Sequence, residues 1–294
     1  MKESNMQRLP IHPQGPTFSR IIAGAWRWRL SPETVERLIQ ASLDEGITTF
    51  DHADIYGDHS NEEIFGEALR KQPALRDKIE LVSKCGIKFP SDKRPKTWVK
   101  HYDTSKEHII WSAENSLKML HTDRLDLLLI HRPDPLLNPY EVAEAFSQLK
   151  QQGKVLHFGV SNFTRPQFYM LQKLLPMPLV TNQIEISLAR VEPLFNGDLD
   201  LLMEHKTSAM AWSPLGGGKL MAGERELFSK ATKYNATYSQ LSLAWLLAHP
   251  SVIFPVIGTT KAERIVEAAK STAIKLDRQD WFEMLQWATG SEVA

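Results

Sequence analysis

ITTFD (residues 47–51), IELVSK (79–84) and LDLLLIH (125–131) are near-continuous apolar runs, and each ends on an ionisable side chain: Asp51, Lys84 and His131. Continuous apolar character marks a strand covered on both faces, as in a parallel sheet wrapped by helices. Tyr56 follows the first run within DHADIYG (51–57). If the three strands lie side by side and parallel, a carboxylate, a phenol, an amine and an imidazole gather at one rim. One ionisable residue ending a strand is ordinarily a satisfied structural group. Four at successive strand ends are hard to explain by packing, because a buried charge is costly unless paired.

Working outward, five further runs have the same character: IIAG (21–24), HFGVS (157–161), LVTNQ (179–183), AMAWS (209–213) and VIFPVIG (252–258). Helical segments fill most gaps. Ser31-Pro32 reads as N-cap and first helical residue, with Gly46 beyond the far end; Asn138-Pro139 opens another helix, which Gly153 follows. Thr104 with Glu107, and Thr260 with Glu263, read as capping boxes. Eight βα units in series predict a parallel sheet closed into a (β/α)8 TIM barrel, a single domain over 1–294. Two pieces fall outside the units: a predicted N-terminal β-hairpin at 6–19, covering the N-terminal mouth, and an extra C-terminal helix at 278–288 containing Trp281, Leu285 and Trp287. Long loops at 86–103, 184–198 and 214–236 belong to the C-terminal rim, where barrel active sites lie.

Lys+Arg and Asp+Glu both number 35, so no global field draws in nucleic acid or an anionic membrane. The single cysteine, Cys85, excludes an internal disulfide framework and a multi-cysteine metal site, and favours a reducing compartment. MKESNMQRLPIHPQGP carries no apolar segment of signal-peptide type, and no run approaches the roughly 20 residues needed to span a bilayer. The expected location is cytoplasmic.

Tyr56 has an ordinary pKa of about 10, too high for easy proton exchange at neutral pH. A nearby ammonium favours the phenolate, so Lys84, held by Asp51, is expected to lower that value and make Tyr56 a general acid for a carbonyl oxygen. His131 would align the same oxygen. The bland alternative is a structural ion pair, a loop tyrosine and a capped histidine. No GxGxxG follows a strand, so a Rossmann site is unsupported. GTTKAER (258–264) opens the last helix instead, and Lys261 and Arg264 there suit a phosphate monoester. Ser161, Asn162 and Gln183 end two strands with the donors and acceptors a carboxamide needs. Trp212 offers a flat face. The run Ser213-Pro214-Leu215-Gly216-Gly217-Gly218 offers backbone N–H groups to a pyrophosphate. A core tryptophan and a Gly-rich turn are the structural alternatives.

At these residues the sequence resembles the aldo-keto reductases. The matching segments are DHADIYG, VSKCG (82–86), LLLIHRPD (127–134), GVSNF (159–163), NQIE (182–185), WSPLGGG (212–218) and GTTKAER, in order along the whole chain. The resemblance implies a monomeric or weakly associating barrel that uses NADPH to reduce aldehydes or ketones, with no metal. Asp51, Tyr56, Lys84 and His131 correspond to the family's catalytic tetrad. Positions matching Ser161, Asn162, Gln183 and Trp212 hold the nicotinamide. Those matching Ser213, Leu215, Gly216, Gly217 and Gly218 cover the pyrophosphate, and Thr259, Thr260, Lys261 and Arg264 meet the phosphate and adenine end. His52 stands where many members have threonine, and Ala268 where many have asparagine.

The substrate is the least legible part. Trp26, Phe89 and Trp98 are candidate pocket residues suited to an apolar or aromatic carbonyl compound, a small-molecule partner. A second function is a non-catalytic NADPH-binding regulatory subunit, since the resemblance extends to potassium-channel β subunits. A metal-dependent hydrolase built on His52, Asp54 and His131 lacks any HxH or HExxH pattern.

Overall fold

The computed structural model describes residues 6–218 and 225–294. Strands β1 (Arg8–Pro10) and β2 (Thr17–Ser19) form an antiparallel hairpin. Eight parallel strands then close into a barrel: β3 (Ile22–Gly24), β4 (Thr49–Asp51), β5 (Glu80–Cys85), β8 (Leu127–Ile130), β9 (Phe158–Ser161), β10 (Leu179–Glu185), β11 (Met210–Trp212) and β12 (Phe254–Ile257). All eight predicted runs are the barrel strands, in sequence order. The short pair β6 (Ile87–Lys88) and β7 (His101–Tyr102) folds the predicted loop at 86–103 into a hairpin.

The helices are α1 (Pro32–Asp44), α2 (Tyr56–His59), α3 (Asn61–Lys71), α4 (Lys106–Met119), α5 (Pro139–Gln151), α6 (Arg165–Leu174), α7 (Asp198–Glu204), α8 (Arg225–Lys233), α9 (Tyr238–Leu247), α10 (Ala262–Ala269) and α11 (Arg278–Thr289). Ser31 and Asn138 cap α1 and α5 as expected. Two caps differ. Ser105, not Thr104, accepts the His108 amide at the start of α4, while the Thr104 hydroxyl donates to Asp134 at 2.9 Å. Lys261 is the N-cap of α10 and makes no side-chain bond there; the Thr259 hydroxyl accepts the Lys261 amide instead of Thr260 capping with Glu263.

Strand alternation sorts side chains between two cores. Ile22, Val82, Leu127, Leu129, Val180, Met210, Phe254 and Val256 fill the barrel interior, joined by Ile11 and Phe18 of the hairpin, which closes the floor. The other faces of the strands pack against the helices. At one end of this outer layer α11 grips α9: the Trp245 indole donates to the Trp281 carbonyl at 3.1 Å, and the Trp281 indole donates to the Trp245 carbonyl at 2.9 Å. The two rings stack with centroids 4.9 Å apart. Among the described residues no helix is long and apolar enough to cross a membrane.

Candidate active site

Period two carries the interior face upward from Val82 to Lys84 and from Leu127 and Leu129 to His131. The strand ends therefore aim an amine and an imidazole at the C-terminal rim. Asp51 ends β4 beside Gly24 of β3. Strand β10 differs: its register against β9 shifts between Leu179 and Asn182, so Val180 and Gln183, three apart, both serve the interior.

The Lys84 ammonium is fully buried. It donates to Asp51 Oδ2 at 2.7 Å, to the His52 carbonyl at 2.7 Å and to the Tyr56 hydroxyl at 3.0 Å. All three of its donors are thereby used. Tyr56 opens α2, and the turn behind it is tightly wound: Gly57, Asp58 and His59 all lie in the left-handed region, φ 59°, 57° and 60°. The Tyr56 and His131 rings meet edge to face with centroids 5.8 Å apart. Asn162 and Ser213, at the ends of β9 and β11, also have positive φ, and Asn162 Nδ2 donates to Ser161 Oγ at 2.7 Å. The Trp212 indole donates to Asn162 Oδ1 at 3.0 Å, which fixes the ring's angle.

Burial pushes the Tyr56 phenol above its ordinary value of 10.0, and Lys84 only partly offsets that. The sequence-based expectation of a lowered value is thus reversed: desolvation of the phenolate outweighs the ammonium, and the Asp51 charge opposes the ammonium's effect. Burial alone would lower Lys84, but Asp51 and Tyr56 outweigh it and the ammonium is held raised. Burial, with the fields of Lys84, Arg132 and Lys100, keeps His131 well below the usual imidazole range and neutral. His52 is a core residue: it is fully buried, packs on Phe65 at 4.5 Å between ring centroids, and is held down to about 3 by desolvation.

A cavity of about 510 Å³ lies over this rim. Among the sequence-predicted residues it is lined by Trp26, Asp51, Tyr56, His131, Ser161, Asn162, Gln183, Trp212, Ser213, Leu215, Gly217, Gly218, Thr259 and Arg264. Lys84 sits behind Tyr56 rather than on the wall, and Gly216, Thr260 and Lys261 are also off it. The Gly216 and Gly218 amides are already bonded, to the Ser213 and Leu215 carbonyls at 2.8 and 3.1 Å, which leaves fewer free N–H groups than the Gly-rich run suggests. Phe89 lies elsewhere: it stacks on His59 and lines a second cavity of about 340 Å³ under the β6–β7 hairpin. Trp98 is 87% exposed and lines neither. The segment 219–224 of the predicted long loop lies outside the described residues.

Sequence reasoning missed Arg27, Arg132, Tyr238 and Ser239 on the cavity wall. Arg132 had a readable signal, its place directly after the strand-ending His131. Tyr238 and Ser239 start α9 and had none.

Residues 20–287 match the family model described as Aldo/keto reductase family, and the chain belongs to that family. It is 48% identical to oxidoreductase YdhF of Escherichia coli, covering 98% of this chain and 99% of that protein. It is 46% identical to a protein of Agrobacterium fabrum named 6-dehydroglucose reductase, over 98% of this chain and all of that one. A crystal structure of an aldo/keto reductase from Klebsiella pneumoniae in complex with NADP and acetate superposes with a TM-score of 0.80 at 25% identity, covering 96% of this chain and 95% of that one.

Proposed function

We propose that this barrel domain is an NADPH-dependent reductase of aldehyde or ketone carbonyls. The observation that carries the reading is the chain of contacts from Asp51 through Lys84 to the Tyr56 hydroxyl, ending beside His131 at a cavity. The raised Tyr56 phenol is protonated at neutral pH, as a general acid for reduction must be. Its proton goes to the carbonyl oxygen as negative charge develops there. Lys84 stabilises the phenolate left behind, and Asp51 holds Lys84 in place. Neutral His131 orients the oxygen by hydrogen bonding and adds no charge of its own.

The residues present fit a nicotinamide cofactor. Ser161, Asn162 and Gln183 form a polar cluster beside the Trp212 face. After β12, the strand next to the one that ends on Trp212, α10 begins without a side-chain cap and Arg264 lines the cavity, which suits a phosphate. When bound, NADPH supplies a hydride to the carbonyl carbon, giving the alcohol and NADP. The Klebsiella relative in complex with NADP supports this cofactor, and the relative named 6-dehydroglucose reductase supports a carbonyl substrate.

The test is NADPH consumption with a panel of aldehydes, ketones, dicarbonyls and quinones. Turnover establishes the reductase. Bound NADPH with no turnover on any member sinks it and favours the regulatory reading.

A further inference from the structure

Arg132 directly follows His131 at the end of β8 and is half-buried on the cavity wall with Tyr56, His131 and Trp212. Its guanidinium lies 5.4 Å from the centre of the Trp212 ring. Among the described residues no carboxylate comes within ion-pair distance of it. The two acids that line the cavity are otherwise engaged. Asp51 is shared between Lys84 and Gln183, and Glu267 accepts from the Thr237 hydroxyl at 2.5 Å. A guanidinium held against an indole in a partly desolvated recess, with no counter-charge, is a site for an anion.

Two anions could meet it, a cofactor phosphate or a carboxylate on the substrate. The barrel order places β12, which is followed by α10 with the phosphate-suited Arg264, four strands from β8, on the opposite side of the ring. Arg132 instead sits at the Tyr56 end, where its field, with that of Lys100, reaches His131. On the reductase reading, we propose that Arg132 sets the substrate class: the preferred carbonyl compounds carry a carboxylate, which the guanidinium binds beside Tyr56 and His131.

The experiment compares kcat/KM for matched pairs, succinic semialdehyde against butanal and carboxybenzaldehyde against benzaldehyde. It uses the full-length wild type, Arg132→Gln and Arg132→Lys, with NADPH affinity measured by fluorescence for each protein. The wild type should prefer the carboxylate of each pair. Arg132→Gln should cut the anionic-to-neutral ratio by about tenfold or more. Arg132→Lys should keep an intermediate ratio, and added salt should narrow the preference of the wild type but not of Arg132→Gln. A wild type without preference, or an unchanged ratio in Arg132→Gln, overturns the inference while leaving the reductase standing. A loss of NADPH affinity with no change in the ratio assigns the arginine to a cofactor phosphate and also overturns it. No turnover of either pair member, with NADPH bound, removes the reductase reading and this inference together.

Discussion

Asp51 is held from two sides of the barrel: Lys84 of β5 takes Oδ2 at 2.7 Å, and the side-chain amide of Gln183 of β10 takes Oδ1 at 2.9 Å. The carboxylate therefore fixes the amine and one of the carboxamide-suited residues in a single buried network, all of it at most 4% exposed. In such a network each member's removal leaves another unpaired.

Asp51→Ala leaves the Lys84 ammonium without its counter-charge in the barrel interior. Breaking a buried pair this way costs about 3–5 kcal/mol. Urea denaturation of wild type and variant measures it, and a loss below about 1 kcal/mol would mean that water reaches the amine.

Tyr56→Phe removes the proton donor and little volume. Carbonyl reduction should fall by about a hundredfold or more, while NADPH affinity, read by fluorescence titration, stays close to wild type. Near-normal turnover in the variant would remove Tyr56 from the chemistry.

The raised phenol sets the pH profile. Reductive turnover requires the protonated form, so kcat/KM should hold from neutral to mildly alkaline pH and fall only above the ordinary tyrosine value of 10.0. A stopped-flow profile with an alkaline limb near pH 8 would place the acid elsewhere.

The Asp54 carboxyl, which accepts the Ser112 hydroxyl at 2.7 Å, is pushed by burial up to about 7 from 3.8. Between those values the native state binds a proton that the unfolded chain has released, so Asp54 makes the fold lose stability as pH rises from about 4 to about 7. Asp54→Asn removes that slope. The variant should gain on wild type across this window by at most about 1.4 kcal/mol per pH unit. Parallel stability curves from denaturant titrations at pH 4.5 and 7 would show that Asp54 stays ionised.

Arg264 lines the cavity and Lys261 does not. Arg264→Ala should weaken NADPH binding about tenfold or more and NADH binding far less, with Lys261→Ala the milder of the two. Equal losses for both cofactors would put the phosphate elsewhere.

The eight strands and the convergence of Asp51, Tyr56, Lys84 and His131 were legible because period two and strand ends are local properties of the sequence. The bond from Gln183 to Asp51 was not. It depends on the register shift within LVTNQIE, and a shift between neighbouring strands leaves no mark on either one alone. The start of α4 was misplaced by one residue because Thr104 and Ser105 both suit an N-cap, and the distant Asp134 decides between them. The direction of the Tyr56 shift was misread for a similar reason: sequence names the neighbouring charge, but only the fold sets how much water is excluded. Phe89 and Trp98 were placed by loop membership alone, and the β6–β7 hairpin turns one beneath itself and the other outward.

The clasp between Trp245 and Trp281 has an optical consequence. The two indoles stack with planes 10° apart at 4.9 Å, so their electronic transitions couple and give the protein a chiral signal in the near ultraviolet. The share of that signal contributed by this pair follows the contact of α11 with α9. Trp281→Phe should weaken the near-ultraviolet band while the backbone helical signal is kept, and an unchanged band would assign it to other aromatic rings.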